Sequence, residues 1–205
     1  MPASDLRENF DKAELDSRLR WHCEPSHWMI DREKRVLTVE PDAPTDFWQR
    51  THNGLAADSG HFLGMDLAGD FVMTAQVSFD PVHRYDQAGL MVRVSRECWL
   101  KTSVEFEADG HNALGAVVTN SGYSDWSTQP YAPGAGEIWL RVRREGDDYG
   151  VDCSEDGRLW RQIRIAHLHQ MPGHTVTCGL YACSPKGAGF IAEFSRLTVT
   201  AGRLE

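Results

Sequence analysis

Residues 46–101 read DFWQRTHNGLAADSGHFLGMDLAGDFVMTAQVSFDPVHRYDQAGLMVRVSRECWLK, and the end of this stretch and the residues after it alternate apolar with polar side chains. Because neighbouring side chains of a β-strand lie on opposite faces, the alternation predicts strands with two different faces. One face is apolar and consists of Leu90, Val92, Val94, Leu100, Val104 and Phe106. The other face carries Met91, Arg93, Trp99, Lys101, Ser103 and Glu105. The first set predicts a core, and the second set combines an indole, an ammonium and a carboxylate, which favours a small polar ligand site.

The composition favours one all-β domain without nucleic-acid or membrane partners. The chain has 205 residues, of which 41% are hydrophobic, enough for a sizeable core in one domain. A net charge of -9 disfavours nucleic acid, which requires a clustered basic surface. There is no apolar run long enough to span a bilayer, and the start, MPASDLRENFDK, lacks the features of a signal peptide. We therefore expect a cytoplasmic protein.

Neither the cysteines nor the histidines predict a cofactor. The five cysteines contain no CxxC pair, and at least four lie in strand-like segments, where a thiol behaves as a small hydrophobe. His167 and His169 would share a face of an extended segment, but no third ligand is evident. We expect free thiols, no metal and no cofactor.

Residues 1–17 form the only segment with a helical pattern, a thin apolar stripe that predicts a short helix or an N-terminal arm. Residues 18–205 are predicted to form one sandwich domain. Strands are expected at residues 35–40, 46–51, 70–79, 88–95, 98–107, 113–121, 136–144, 148–154, 159–165, 175–183 and 189–200. Asp109-Gly110, Gly146-Asp147 and Asp156-Gly157 are hairpin-turn dipeptides between such segments. Strands joined by short turns predict an antiparallel two-sheet sandwich.

A series of short motifs, in order, covers nearly everything after residue 20. The motifs are DFW with Thr51, DSGHFL at 58–63, GDF at 69–71, YDQAGLMVR at 85–93, WLK at 99–101 through Glu105, SDWS at 124–127, WLRV at 139–142, and SEDG at 154–157 with Trp160. With them the chain resembles the regulator-of-enolase-like family of bacteria and fungi. The resemblance implies a jelly-roll sandwich of the concanavalin A-like lectin and glucanase superfamily, although a fold does not fix an activity.

We expect the concave sheet of such a sandwich to bind a carbohydrate or a related polyhydroxy or acidic molecule. The predicted ligand-binding residues are Asp58, His61, Tyr85, Asp86, Gln87, Arg93, Trp99, Lys101 and Glu105. Each group also has a structural interpretation: Tyr85-Asp86-Gln87 as an Asx-type turn, and Asp58 with His61 as caps of the loop at Gly60. Trp48, Trp126, Trp139 and Trp160 are predicted to pack in the core.

Two alternatives remain open from the sequence: a protein-interaction domain, and a glycoside hydrolase using Glu105. The glucanases of the superfamily use Glu-x-Asp-x-Glu, whereas this chain reads Glu105-Phe106-Glu107-Ala108-Asp109 and turns at Gly110. Retaining glycosidases also need two carboxyl groups about 5–5.5 Å apart. The sequence therefore favours a binding domain without catalysis.

Overall fold

The computed structural model describes residues 5–107, 112–131, 136–169 and 174–203. The described residues form β-strands and no helix. The strands are β1 (Leu6–Glu8), β2 (Arg20–His22), β3 (His27–Asp31), β4 (Val36–Glu40), β5 (Phe47–Gln49), β6 (Ala56–Asp58), β7 (His61–Leu67), β8 (Phe71–Asp80), β9 (Gln87–Ser95), β10 (Cys98–Phe106), β11 (Asn112–Asn120), β12 (Tyr123–Tyr131), β13 (Glu137–Glu145), β14 (Asp148–Ser154), β15 (Arg161–His167), β16 (Val176–Cys183) and β17 (Ile191–Ala201).

Two large antiparallel sheets pack face to face and confirm the predicted jelly-roll sandwich. Sheet I has the strand order β15-β14-β13-β8-β17-β4-β3, with β1 paired to β17. Sheet II has the order β12-β11-β10-β9-β16-β7-β2. A third, two-stranded sheet consists of β5 and β6. The paired strands of these sheets run antiparallel.

The core lies between the inner faces of the two sheets, and β9 and β10 enter it with the predicted register. Leu90 and Val92 pair with Thr102 and Leu100 on the neighbouring strand. Leu90, Val92, Leu100 and Val104 are at most 2% exposed and belong to the main core. Phe106, at the end of β10, is partly exposed. The opposite side chains of β9 and β10 therefore project from the outer face of sheet II.

Of the two predicted forms of residues 1–17, a short helix or an arm, the helix does not occur in residues 5–17, because residues 6–8 form a strand that extends sheet I. Leu6 pairs with Val199 of β17, and both Leu6 and Phe10 are completely buried. Glu8 is buried as well, and its carboxylate accepts hydrogen bonds from the amides of Phe10 and Asp16. Residues 1–4 lie outside the described residues. A helix would leave the thin apolar stripe half-solvated, whereas the strand buries it against β17.

The described turns occur where the sequence predicts them, but some strands, such as β12, were not predicted. Gly146 and Gly157 have φ angles of 63° and 71°, which suits the turns that join β13 to β14 and β14 to β15. Asp109-Gly110 lies outside the described residues. Strand β12 reads YSDWSTQPY and is the edge of sheet II, where Pro130 is tolerated and neither face is fully buried. Such a strand lacks the apolar alternation by which the others were predicted.

Candidate functional site

The outer face of sheet II is divided into two halves. The covered half lies beneath the β5–β6 hairpin, which we call the cover. The cover and this half form a second apolar cluster of Phe47, Phe62, Met91, Trp99, Val117, Tyr181 and Cys183. The open half consists of the outward side chains of β10, β11 and β12 that the cover does not reach. It contains a shallow surface depression lined by Lys101, Ser103, Glu105, Ala113, Gly115, Ala116, Val117 and Trp126.

Trp99 lies on the predicted face of β10 but belongs to the covered half. It has no exposed surface, its ring packs 6.3 Å from Phe47, and its indole N–H donates to the carbonyl of Arg96 over 3.1 Å. The predicted stacking of a ligand on Trp99 is therefore wrong for this structure, because the cover occupies the space that a ligand would need.

Lys101 stands at the boundary of the two halves and holds the cover in place. The residue is 2% exposed, and its Nζ donates to the carbonyl of Phe47 over 2.8 Å and to Asp46 Oδ1 over 3.4 Å. The ammonium also lies 5.7 Å from the ring centre of Trp99 and 5.6 Å from that of Tyr181. A buried ammonium needs such partners to offset its lost hydration. Its charge is thus committed to the cover.

Glu105 is the buried acid of the open half. The residue is 8% exposed, and its side chain forms no hydrogen bond within the part of the chain that the structure describes. Burial raises the pKa of the Glu105 carboxyl to about 8, with Asp46 and Glu107 adding to the increase and Lys101 and Arg84 opposing it. At pH 7 the carboxyl group is accordingly protonated and can donate a hydrogen bond as well as accept one.

Trp126 provides the open aromatic surface that the sequence analysis assigned to the core. It lies on edge strand β12, opposite Val117 of β11, which in turn pairs with Lys101. Its relative exposure of 41% contrasts with complete burial of Trp99. The position of the SDWS motif between polar residues is the sequence signal that could have identified it as a surface residue.

Gly115 keeps the floor of the depression low between Ser103 and Thr128. It pairs with both residues across the sheet. A Cβ atom at position 115 would lie 2.3 Å from the carbonyl oxygen of Ser127, so no side chain fits without a shift of the backbone. The absence of a side chain leaves space between the carboxyl group and the indole.

The Tyr85-Asp86-Gln87 element does not line the depression, although Gln87 pairs with Glu105 across β9 and β10, and its contacts are structural. Asp86 is 1% exposed and accepts hydrogen bonds from the amides of Val82 and His83 at 2.9 and 2.7 Å. Gln87 accepts the Tyr181 hydroxyl hydrogen bond over 3.1 Å. These contacts match the turn interpretation of the sequence.

Tyr85 also has partners within the protein: the centre of its ring lies 4.5 Å from the Arg84 guanidinium and 5.5 Å from the Lys186 ammonium. Tyr85 also donates its amide to the carbonyl of Phe106 at the end of β10. The element thus joins the loop before β9 to the strand that carries Glu105.

Asp58 and Arg93 form an ion pair beside the covered half, and His61 has separate contacts. Arg93 donates to Asp58 Oδ2 over 2.8 Å. His61 is 3% exposed; its Nε2 accepts the amide of Asp42, and its Nδ1 lies 2.5 Å from the carbonyl of Cys23. The structure therefore brings together Lys101 and Glu105 of the predicted ligand residues, and separates Asp58, His61 and Arg93 from the depression.

The second carboxylate considered for catalysis, Glu107, lies beyond the end of β10. It accepts a hydrogen bond from Arg84 Nε over 2.8 Å. Asp109 lies outside the described residues. Within the lining of the depression, Glu105 is thus the one carboxyl group that the structure describes.

No group of three or more candidate metal ligands occurs in residues 5–107, 112–131, 136–169 and 174–203. The rings of His167 and His169 lie 5.5 Å apart, and His167 Nδ1 is 2.7 Å from Asp148 Oδ1. The same described ranges contain no helix able to cross a membrane.

The two packed antiparallel sheets define a concanavalin A-like β-sandwich. The chain belongs to the family described as Protein of unknown function (DUF1349), whose family model matches residues 21–202. It is 39% identical over 172 residues to "Regulation of enolase protein 1" of Saccharomyces cerevisiae, covering 84% of this chain and 85% of the relative. The resemblance found in the sequence is thereby confirmed.

Solved structures show the same fold. A functionally unknown protein of Saccharomyces cerevisiae matches with a TM-score of 0.83 and 35% identity, covering 91% of this chain and 97% of its own. The GH43 BlXynB protein of Bacillus licheniformis matches with a TM-score of 0.74 and 18% identity, covering 96% of this chain but 39% of its own. A xylan beta-1,4-xylosidase of Bacillus halodurans matches with a TM-score of 0.75 and 14% identity, over 95% and 38% of the respective chains. At these identities the two bacterial proteins support the fold alone.

Proposed function

We propose that the protein is a non-catalytic binding domain for a carbohydrate or a related small polyhydroxy molecule, which it binds in the open half of sheet II. The observation that carries the proposal is the exposed indole of Trp126 beside a depression that contains the buried carboxyl group of Glu105. An apolar surface with a few convergent polar groups is the usual composition of a small-ligand site.

The two groups have complementary roles in this proposal. The flat indole of Trp126 offers apolar area to the C–H face of a sugar ring and keeps its N–H available for water or ligand. The Ser103 hydroxyl and the Glu105 carboxyl supply donors and acceptors for sugar hydroxyls. Adjacent strands lie about 4.8 Å apart, so β10 and β12 are about 10 Å apart across the sheet. Trp126 is level with Lys101, and Ser103 and Glu105 follow two and four residues further along β10.

A glycan array followed by isothermal titration of the strongest hits tests the proposal. Trp126→Ala should lower the affinity at least tenfold, because it removes the stacking surface. Tyr123→Ala is the matched control, since Tyr123 is an exposed aromatic residue of the same strand and does not line the depression. Equal loss of affinity in both variants, or no saccharide binding by the wild type, would contradict the proposal.

Hydrolysis is the second candidate, and the raised pKa of Glu105 favours it, because a general acid must hold its proton near neutral pH. A glycosidase also needs a second carboxyl group at the scissile bond, and Glu107 is engaged by Arg84. We therefore expect no release of reducing sugar from xylan or aryl glycosides. Release by the wild type that is abolished in Glu105→Gln would establish catalysis instead.

Docking of another protein is favoured by one observation, namely two exposed aromatic residues on an edge strand, Tyr123 at 60% and Trp126 at 41%. A protein partner bound along β12 would lose affinity with either alanine substitution, whereas a saccharide would lose it with Trp126→Ala alone.

The cytoplasm remains our proposed location, since the structure pairs none of the five cysteines in a disulfide.

A further inference from the structure

We infer that the depression takes a neutral polyhydroxy ligand and rejects its carboxylate-bearing analogue, because Glu105 enters the site as an uncharged hydrogen-bond donor that no available cation balances. The inference rests on the proposed function and specifies the ligand class of the same site. It decides between the polyhydroxy and the acidic ligands that the sequence left open.

The charges around Glu105 are matched in pairs. Lys101 is paired with Asp46, the residue before the cover, at 3.4 Å, and Arg84 is paired with Glu107, at 2.8 Å. These four groups are the charged groups that act on Glu105 from its own strand, from the residue before the cover and from the loop before β9. Because each cation already has its anion, Glu105 is left without a counter-ion when it ionises.

Strands β11 and β12 add no charge to the lining. Their side chains in the depression are Ala113, Val117 and Trp126, with Gly115 between them. Asp125 of β12 points to the other face and pairs with Arg164 at 2.7 Å. Within the described residues, the open half therefore has the electrostatic character of a neutral site.

Lys101 cannot serve an incoming anion without releasing the cover. Its Nζ donates to the Phe47 carbonyl and to Asp46, and the residue is 2% exposed. A ligand carboxylate placed beside Glu105 would lose its hydration and gain no free cation, which is unfavourable. A neutral hydroxyl or ring oxygen can instead accept the Glu105 O–H hydrogen bond, and a ligand hydroxyl can donate to the carbonyl oxygen of that acid or to Ser103.

The pH dependence follows from the same geometry. Ionisation removes the O–H donor of Glu105, so binding of a neutral ligand requires the protonated form. Since burial holds the pKa of Glu105 at about 8, affinity should be constant between pH 6 and 7. It should then fall by about tenfold for each pH unit above that pKa.

The test is a titration by NMR with matched neutral and acidic probes at pH 6 and pH 9. The neutral probes are methyl β-glucoside, methyl β-xyloside and methyl β-galactoside, and the acidic probes are methyl β-glucuronide and methyl β-galacturonide. We expect at least one neutral probe to bind at pH 6, at least tenfold more weakly at pH 9, and at least tenfold more tightly than its uronide.

Glu105→Gln is the decisive variant, because glutamine has the shape of the protonated acid and also donates a hydrogen bond. It should retain neutral binding at pH 6 to within about threefold and should bind equally at pH 9; a thermal melt confirms that it folds. Ser103→Ala, which leaves the acid in place, should weaken binding but keep the pH dependence.

Uronide binding as tight as that of the matched neutral probe, or pH-independent binding by the wild type, would overturn this inference and leave the proposed function standing. Absence of binding by all five probes and by the glycan array would overturn both.

Discussion

The covered and open halves of sheet II are built on the same strand, yet they carry opposite kinds of surface. Trp99 and Glu105 project from the same face of β10, six residues apart. Trp99 is sealed beneath Phe47 with no exposed surface, and Glu105 borders a depression that opens toward Trp126. Between them Lys101 holds the cover by hydrogen bonds.

The difference shows that a polar and aromatic strand face does not by itself identify a ligand site. Whether such a face binds a ligand depends on what packs over it, here the hairpin of residues 47–58. In the covered half the aromatic residues are buried and stabilise the fold. In the open half the aromatic residue that remains accessible is supplied by the neighbouring edge strand.

The largest expected effect is the difference in protein stability between a substitution in the cover and one in the open half. Phe47→Ala should lower the free energy of unfolding by about 3–5 kcal/mol, because it empties the centre of the cover cluster. Trp126→Ala should change it by less than about 0.5–1 kcal/mol, because that side chain is largely exposed. Urea denaturation measures both; similar losses in the two variants would contradict the division of the face.

The second effect concerns the cost of ionising Glu105. The carboxyl group has its ordinary pKa of 4.5 in the unfolded chain and a pKa of about 8 in the folded protein, so the unfolded state loses its proton first. Stability contributed by the neutral acid is therefore complete below pH 4.5 and is lost progressively as the pH rises to about 8.

Relative to Glu105→Gln, the wild type should consequently become less stable across this window, by on the order of 4 kcal/mol at its upper end. Denaturation at several pH values compares the two proteins directly. A stability difference that does not change between pH 4.5 and pH 8 would show that Glu105 is ionised in the folded state.

The third effect concerns Lys101, at the boundary between the covered and open halves. Lys101→Met should cost about 1–2 kcal/mol, because the Phe47 carbonyl loses its donor while Asp46 remains partly hydrated. It should also move the Glu105 transition to higher pH, since Lys101 lowers that pKa. NMR titration of the Glu105 carboxyl carbon records the shift, and an unchanged midpoint would show that the two residues do not interact.

Much of the fold could be predicted from the sequence because it depends on local patterns. The alternation in β9 and β10 correctly placed Leu100 and Val104 in the core and Lys101 and Glu105 on the outer face. Glycine dipeptides correctly marked the turns at Gly146 and Gly157. Both signals are contained within a few residues of the chain.

The candidate site was less predictable because it depends on contacts between distant segments. Burial of Trp99 requires Phe47, 52 positions earlier in the chain, and exposure of Trp126 follows from the edge position of β12. Strand β1 depends on pairing with β17 near the other end of the chain. No local pattern reveals such contacts. The face of β10 on which Trp99 lies was therefore predicted correctly, but its solvent exposure was not.

The most direct test of a ligand site in the open half is the response of the indole N–H signals of the wild-type protein to a neutral saccharide. Methyl β-glucoside, methyl β-xyloside or the best saccharide of the array is titrated at pH 6, with each indole signal assigned by single Trp→Phe substitutions. We predict a saturable shift of the Trp126 signal, while the signal of Trp99, hydrogen-bonded beneath the cover, stays in place. A saturable shift of Trp99 without one of Trp126 would contradict this site, because the ligand would then bind in the half that the structure shows as closed.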